Sequence, residues 1–593
     1  MSAWKHILEK AVARTVTGGS SFASKALPAL VALALSPVVL AQQRPDAGSI
    51  LQQQREPIEV PVRPAVAAPK APAAPRAAPI QGSVKASGFR IVGNTVIGTE
   101  RLLQSIAGFQ GRTLAEAELR QLLLSIEEVY RGEGYFAAVA YYPEQQVKGG
   151  ILEVAVVEGR LGRVVLDAKG LRNIRPGVAQ GILGTLQSGS VLEESTLERR
   201  LFLLQDVNGM DSVTSELRPG RGVGEGDLFV SVTDAPSRVR LSVDADNGGS
   251  DATGKTRLGA NARFNNVLGL GDQLGVRLIY QEEGLTQLGR LGYIVPVGHH
   301  GTKVGFGYSR VQYELGGNFT ALGASGTADN YSVFATHPFV RARNLNIFGQ
   351  AVYDIKDLRD EIRQASQTNE KRVSTARAGI YGDFRQGNGS VSTGALLFSS
   401  GTLDLRSDLE RTQDQAGPQT NGSFSKINLD FQTVQFVGGT DSPFSVSAVV
   451  SAQKAGKNLT SAERLNFGGP NGVRAFPTGQ LIADEGVLFQ GELRYMPRAQ
   501  FLRSEVLGAT TLAVFYDAAN ANVCRDITAC NRAGSTLPSS NRLQGAGVGV
   551  RMNRPGSHLL RIDLAWRTGG DTPVSGDGSG NPRLWIQFIK DLL

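Results

Sequence analysis

The stretch "QLGVRLIYQ", Gln273 to Gln281, sets Leu274, Val276, Leu278 and Tyr280 on one side of an extended chain and Gln273, Arg277 and Gln281 on the other. Side chains of a β-strand alternate between faces, so this period of two makes one face apolar and one charged. In "VLFQGELRY", Val487, Phe489, Leu493 and Tyr495 alternate with Gln490, Glu492 and Arg494. In "LLRIDLAWR", Leu560, Ile562, Leu564 and Trp566 alternate with Arg561, Asp563 and Arg567. A sandwich in water carries such strands with the charged face outward. A membrane barrel carries them with the charged face toward its lumen.

The surroundings favour the barrel. Lys5, Lys10, Arg14 and Lys25 precede the apolar run "ALPALVALALSPVVLA", Ala26 to Ala41. The run holds two prolines and is short for a membrane span. Val39 and Ala41 suit a signal cleavage site that leaves Gln42 as the first mature residue. Turn signals such as "DNGGSDATG", "NNVLGLGD" and "PVGHHGT" recur after Ser237. Roughly 22 residues per strand plus connection over Ser237–Leu593 fit sixteen strands of transmembrane length. A closed barrel leaves no strand edge unpaired in hydrocarbon. The expectation is a mainly β protein: a 16-stranded transmembrane antiparallel β-barrel preceded by two periplasmic α/β domains. The last strand, "LWIQFIKDLL", does not alternate cleanly, and its faces stay unassigned.

Bulk composition sets outer limits. A chain of 593 residues with 41% apolar and 20% charged residues suits several ordered domains. Two Cys and five His are too few for a disulfide framework or a multi-zinc protein. The net charge of +8 is spread along the chain and makes no nucleic-acid footprint. "GRGVGEG" and "GAGVGV" sit in no strand–turn–helix unit and carry no phosphate-loop signal. With no Walker A, G-x-S-x-G or H-E-x-x-H motif, neither ATP hydrolysis nor another enzymatic activity is supported, and no cofactor is expected.

Ahead of the barrel the order is a signal peptide (1–41), an N-terminal helix (42–57), a Pro/Ala-rich extended linker (58–83) and an internal repeat. The repeat predicts β-α-α-β-β units over 84–160 and 161–236, with the barrel over 237–593. Shifted by 78 residues, Leu114, Leu119, Leu123, Ile126 and Val129 fall on Leu192, Leu197, Leu201, Leu204 and Val207. Leu152, Val154 and Val156 fall on Leu228, Val230 and Val232 at a shift of 76. Thr113 and Glu116 read as a capping box for the first long helix.

Taken together, the mature chain resembles the two-partner secretion transporters, the hemolysin-activator or TpsB family of the POTRA-barrel superfamily. "PDAGSILQQQ" resembles its N-terminal plug helix, and the repeats resemble its paired POTRA domains. "GGPNGVRAF" resembles the Val-Arg-Gly-Tyr/Phe motif on the long loop between strands 11 and 12. "VFYDAAN" resembles the Phe-x-Asp-x-Gly motif of strand 13. The resemblance implies that this loop folds back into the barrel and that its Arg, here Arg474, interacts with the strand-13 Asp, here Asp517. Val473, Arg474, Ala475 and Phe476 then form the lumenal motif, with Phe515 and Asp517 as its partner. Ala475 and Ala519 stand where the family has Gly, and Leu593 ends the chain where an aromatic is usual.

Strand phase bears on Asp517 independently. In "ATTLAVFYDAAN", Leu512, Val514 and Tyr516 share the apolar face, and Phe515 and Asp517 share the other. Asp on the lipid face is costly, so Asp517 is expected in the lumen. On base rates alone a loop arginine is solvated and worth about 0–1 kcal/mol. The resemblance makes it a lumenal partner, for which the guanidinium fork suits a carboxylate. Cys524 and Cys530 are expected as a disulfide in the polar loop after strand 13. His299–His300 reads as a structural turn without metal-ligand spacing.

The functional expectation is an outer-membrane pore that meets an unfolded exoprotein through its POTRA domains and passes it to the surface without ATP. The alternative is an outer-membrane assembly or insertase factor of the same superfamily. The partners implied are a large secreted exoprotein of adhesin, cytolysin or heme-scavenging type, outer-membrane lipid, and barrel-assembly machinery for insertion. A passive porin needs no periplasmic docking modules.

Overall fold

The computed structural model describes residues 44–54, 83–439, 441–499, 508–532, 538–571 and 582–593. The expected signal peptide, its expected cleavage point before Gln42 and the expected linker up to residue 82 lie outside the described residues.

Sixteen antiparallel strands close into a barrel, from Val239–Asp246 to Arg583–Asp591. Leu278, Tyr280, Val487, Phe489, Leu493, Tyr495 and Trp566 stand exposed on the outer wall. Of their charged alternates, Arg277, Glu492, Arg494, Arg561 and Asp563 take part in ion pairs on the inner wall. In the last strand Leu584, Ile586 and Phe588 face outward, while Trp585 is buried inside. Its alternation is unclear in sequence because this lumenal position holds an aromatic. The closing seam pairs Gln587 with Asp246 through to Asp591 with Ser242. The Asn247 carboxamide extends it, donating to the Leu584 carbonyl at 2.9 Å and accepting from the Ile586 N–H at 2.8 Å.

Two α/β units precede the barrel. In the first, Gly88–Val92 pairs parallel with Ile151–Val157, which pairs antiparallel with Val139–Tyr141. The helix Glu116–Gly132 lays Leu119, Leu122, Ile126 and Tyr130 against Leu152, Val154 and Val156. Each buried aliphatic side chain there is worth roughly 2 kcal/mol. The second unit repeats the order: Arg160–Gly170 pairs parallel with Glu225–Asp234, which pairs antiparallel with Met210–Pro219. Leu192, Leu197, Leu201, Leu204 and Val207 form its core with Leu228, Val230 and Val232.

The capping box is a correction. Thr113 lies within the strand Arg112–Leu114, paired with Lys85. The helix starts at Glu116 behind Ala115, and Glu118, not Glu116, accepts the Ala115 N–H at 3.0 Å. Strand pairing claims the Thr113 backbone, and Ala115 offers no side-chain acceptor, so only half of a capping box exists.

Glu158 closes the first unit. Its carboxylate accepts the Val96 N–H at 2.8 Å, the Tyr130 hydroxyl at 3.0 Å, and the Thr95 N–H and hydroxyl. Burial alone pushes this carboxyl up, but those donors outweigh it and hold it below the ordinary carboxylate range. A lowered folded value means stability that is present above the unfolded pKa of about 4.3 and lost as pH falls through the folded one. Glu158→Gln should cost about 2 kcal/mol, as for a hydrogen-bonded charge. Hydrogen exchange over residues 84–159 of the full chain should show faster opening for the variant at neutral pH, and for the wild type in acid.

The second unit is clamped to the barrel. Arg341 grips Asp206 at 2.7 and 3.0 Å and stacks over the Phe202 ring at 4.8 Å. Arg343 pairs with Glu198, and Lys303 donates to the Asp206 carbonyl at 2.8 Å. The His299 ring of the turn packs on Gly181, leaving no room for a Cβ there.

Candidate functional site

Between the strands Phe444–Ala455 and Glu485–Tyr495 the chain folds back into the barrel. The legs of this loop pair as Leu465–Asn466 with Ile482–Ala483. The tip is tightened by the Val473 N–H donating to Phe467 O at 2.8 Å and the Gly469 N–H donating to Phe476 O at 3.0 Å. Gly469 sits at φ +94°, a conformation that a Cβ disfavours. Val473, Arg474, Ala475 and Phe476 are all buried.

Arg474 is fully enclosed. Its Nε and Nη2 reach Asp517 at 2.8 and 2.7 Å, and its backbone N–H donates to the same carboxylate at 3.1 Å. The guanidinium lies over the Phe515 ring at 3.4 Å. Nη1 reaches Glu492 at 2.7 Å and stands 3.6 Å from Asp563. Arg494, Arg551 and Arg561 complete the cluster around Glu492 and Asp563. Trp585 Nε1 donates to the Arg474 carbonyl at 2.7 Å, so the last strand also holds the tip. The Phe476 ring lies 5.3 Å from the Arg567 guanidinium.

Strand phase puts Glu492 and Asp563 on charged faces, but nothing in their spacing links them to Arg474. Trp585 carried no signal.

The Ala475 methyl occupies room left by a glycine of the barrel wall, Gly545, the cross-strand partner of Asp517. A Cβ on Gly545 would stand 2.5 Å from that of Ala475. Such overlap moves the tip, because Gly545 belongs to the barrel wall. Gly545→Ala should therefore displace Arg474 at a cost of about 1–3 kcal/mol, as for overpacking, and lower export. Ala475→Gly in the same chain should restore export, and quantifying secreted protein in the four-variant cycle checks this.

A second set of contacts fixes the base of the loop. Glu463 is buried between Lys356 and Lys426, the latter at 2.8 Å. The Gln453 amide donates to both legs, to Glu463 O at 3.1 Å and Asp484 O at 2.9 Å. Asp484 accepts from Arg464 at 2.8 Å and from the Arg525 N–H at 2.9 Å. Cys524 and Cys530 are joined in a disulfide. The short loop it closes is tied to the base through Asn458, which accepts the Asp526 N–H at 2.6 Å.

The N-terminal helix Ala47–Gln53 lies inside the barrel against this base. Asp46 caps it, accepting the Ser49 N–H at 2.9 Å, and also meets Lys371 at 2.8 Å and the Ser461 hydroxyl at 2.6 Å. Gln52 donates to Arg464 O at 3.1 Å, and Arg290 donates to Gln54 O at 3.2 Å. At seven residues the helix is too short to persist alone, so packing holds it. Among the described residues no group of three His, Cys, Asp or Glu is placed to hold a metal ion.

Residues 224–552 match the family "Haemolysin secretion/activation protein ShlB/FhaC/HecB", and residues 84–159 match "POTRA domain, ShlB-type". The heme/hemopexin transporter protein HuxB of Haemophilus influenzae (strain 86-028NP) is 24% identical over 504 residues, covering 84% of this chain and 85% of that protein. The hemolysin transporter protein HpmB of Proteus mirabilis is 22% identical over 438 residues, covering 69% and 71%. The solved structure of CdiB from Escherichia coli superposes with a TM-score of 0.68 at 19% identity, covering 88% of this chain and 94% of that one. CdiB from Acinetobacter baumannii superposes with a TM-score of 0.59 at 16% identity, covering 97% and 100%.

Proposed function

The chain belongs to the ShlB/FhaC/HecB family of haemolysin secretion/activation proteins, an outer-membrane barrel with periplasmic POTRA domains that serves two-partner secretion, and on that premise we propose how it moves its cargo. An unfolded exoprotein docks on the POTRA domains in extended form. Main-chain hydrogen bonding at a strand edge tolerates varied sequence and suits a long passenger. The passenger then threads the barrel with no nucleotide consumed, and folding outside prevents its return. At rest the helix Ala47–Gln53 plugs the lumen, and the linker gives it reach to leave.

The observation that carries this reading is the fully buried Arg474 on the folded-back loop, held by Asp517 and Glu492. A solvated loop has no need of such a contact. Export requires the tip to stay pinned while the plug departs. The cargo is a large secreted protein of adhesin, cytolysin or heme-scavenging type.

Deleting the gene and comparing surface and secreted proteins tests the function. Loss of one large secreted protein is the expected result. Broad loss of outer-membrane barrels would instead mean an assembly role.

A further inference from the structure

The seat of the N-terminal helix holds more acid than its cation balances. Asp46, from the helix, lies 2.8 Å from Lys371. Asp360, on the strand next to that of Lys371, lies 3.7 Å from the same ammonium. Asp360 is otherwise engaged: it accepts the Ala47 N–H at 2.7 Å and the Tyr313 hydroxyl. Glu410, from the short helix Asp408–Ala416, is the third carboxylate and interacts electrostatically with Lys371, Asp360 and Asp46. Its Oε2 is buried without a hydrogen-bond partner. Arg44, which acts on Tyr313, belongs to the same N-terminal segment and leaves with it.

We propose that Lys371, Asp360 and Glu410 form a charge-exchange latch that makes release of the plug helix reversible. This rests on the reading of that helix as the resting plug. With the helix seated, Lys371 serves Asp46 while Asp360 and Glu410 repel it. When the helix leaves, Asp46 and Ala47 go with it, and Asp360 loses an N–H donor. Lys371 is already within reach and closes on Asp360. Release therefore leaves the buried Lys371 ammonium paired, where a stranded cation would resist opening strongly. The surplus carboxylates bias the seated state toward departure, and the Lys371–Asp46 pair restrains it.

The latch gives opposite signs to substitutions a few ångströms apart. Lys371→Met faces Asp46 with two uncompensated carboxylates and expels the helix. Asp360→Asn keeps an acceptor for the Ala47 N–H but removes the repulsion, and holds the helix in. Glu410→Gln acts in the same direction as Asp360→Asn.

The test is current through the purified full-length protein in planar bilayers. Lys371→Met should raise the open fraction about tenfold, the size of an ordinary coupling free energy. Asp360→Asn and Glu410→Gln should each lower it below wild type. Asp46→Asn added to Lys371→Met should lower it again. Unchanged or raised current in both Asp360→Asn and Glu410→Gln overturns the latch, and those two variants decide the matter if Lys371→Met fails to assemble. Deleting residues 44–54 separates the premises. If the deletion leaves current unchanged, the plug reading falls. If the deletion opens the pore while both carboxamide variants behave as wild type, only the latch falls.

Discussion

Arg474→Ala should leave a closed, membrane-inserted barrel and reduce the secreted exoprotein at least about tenfold. The barrel is held by sixteen strand ladders that do not pass through this side chain. The loop tip depends on it: Asp517 receives three hydrogen bonds from this one residue, two of them from the guanidinium. Removing one member of a buried ion pair costs about 3–5 kcal/mol, because the remaining charge keeps its desolvation penalty. Glu492 retains Arg494 and Arg551, so the loss falls mainly on Asp517. The base of the loop keeps Glu463 between its lysines, and the tip alone should come free. Limited proteolysis within 466–480 would report this, with heat-modifiable migration on a gel as the control for folding. Arg474→Lys should also fail in large part, since a single ammonium cannot supply a fork to Asp517 and a further bond to Glu492. Wild-type export from Arg474→Ala would show that the pinned tip is dispensable.

Gly48→Ala should open the resting pore, against what helix propensity alone predicts. Alanine favours a helix over glycine by about 1 kcal/mol, so in a free peptide the change is stabilising. In the barrel a Cβ at this position would stand 2.5 Å from the Ser461 hydroxyl oxygen and 2.7 Å from the Ala462 backbone nitrogen. The hydroxyl can rotate away, but the backbone cannot yield easily. Lys356 and Lys426 hold Glu463, the next residue, to the barrel wall. The helix should therefore lose its seat, with Gly48→Val a stronger case. Conductance in planar bilayers should rise about tenfold or more, the response to a coupling of ordinary size, while export persists because the Arg474 anchor is untouched. Low conductance in both variants would mean that the seat adapts.

The contacts around Arg474 and Gly48 differ in how far the sequence reveals them. Asp517 could be placed in the lumen from Leu512, Val514 and Tyr516 alone, because a strand in lipid must turn its carboxylate inward. Its pairing with Arg474 needed the motif resemblance. Glu492 and Asp563 were recognisable as inward-facing, yet not as neighbours of one arginine. Phase says which face a residue occupies. Its height in the lumen, and which strands lie across from it, depend on register and closure. Trp585 was hidden because it breaks the apolar-out pattern in order to cap the Arg474 carbonyl.

The class of structure is legible in the local pattern of residues. Period-2 alternation with an apolar outer face and a doubled α/β unit leave few folds that satisfy both hydrocarbon and water. What fills the barrel follows from closure of the strands. The seat of Gly48 on Ala462, the place of Lys371 between Asp46 and Asp360, and the room that Gly545 leaves for Ala475 join residues far apart in the chain. Each exists because closing sixteen strands in one register sets those side chains facing one another, and no local pattern of residues encodes that distance.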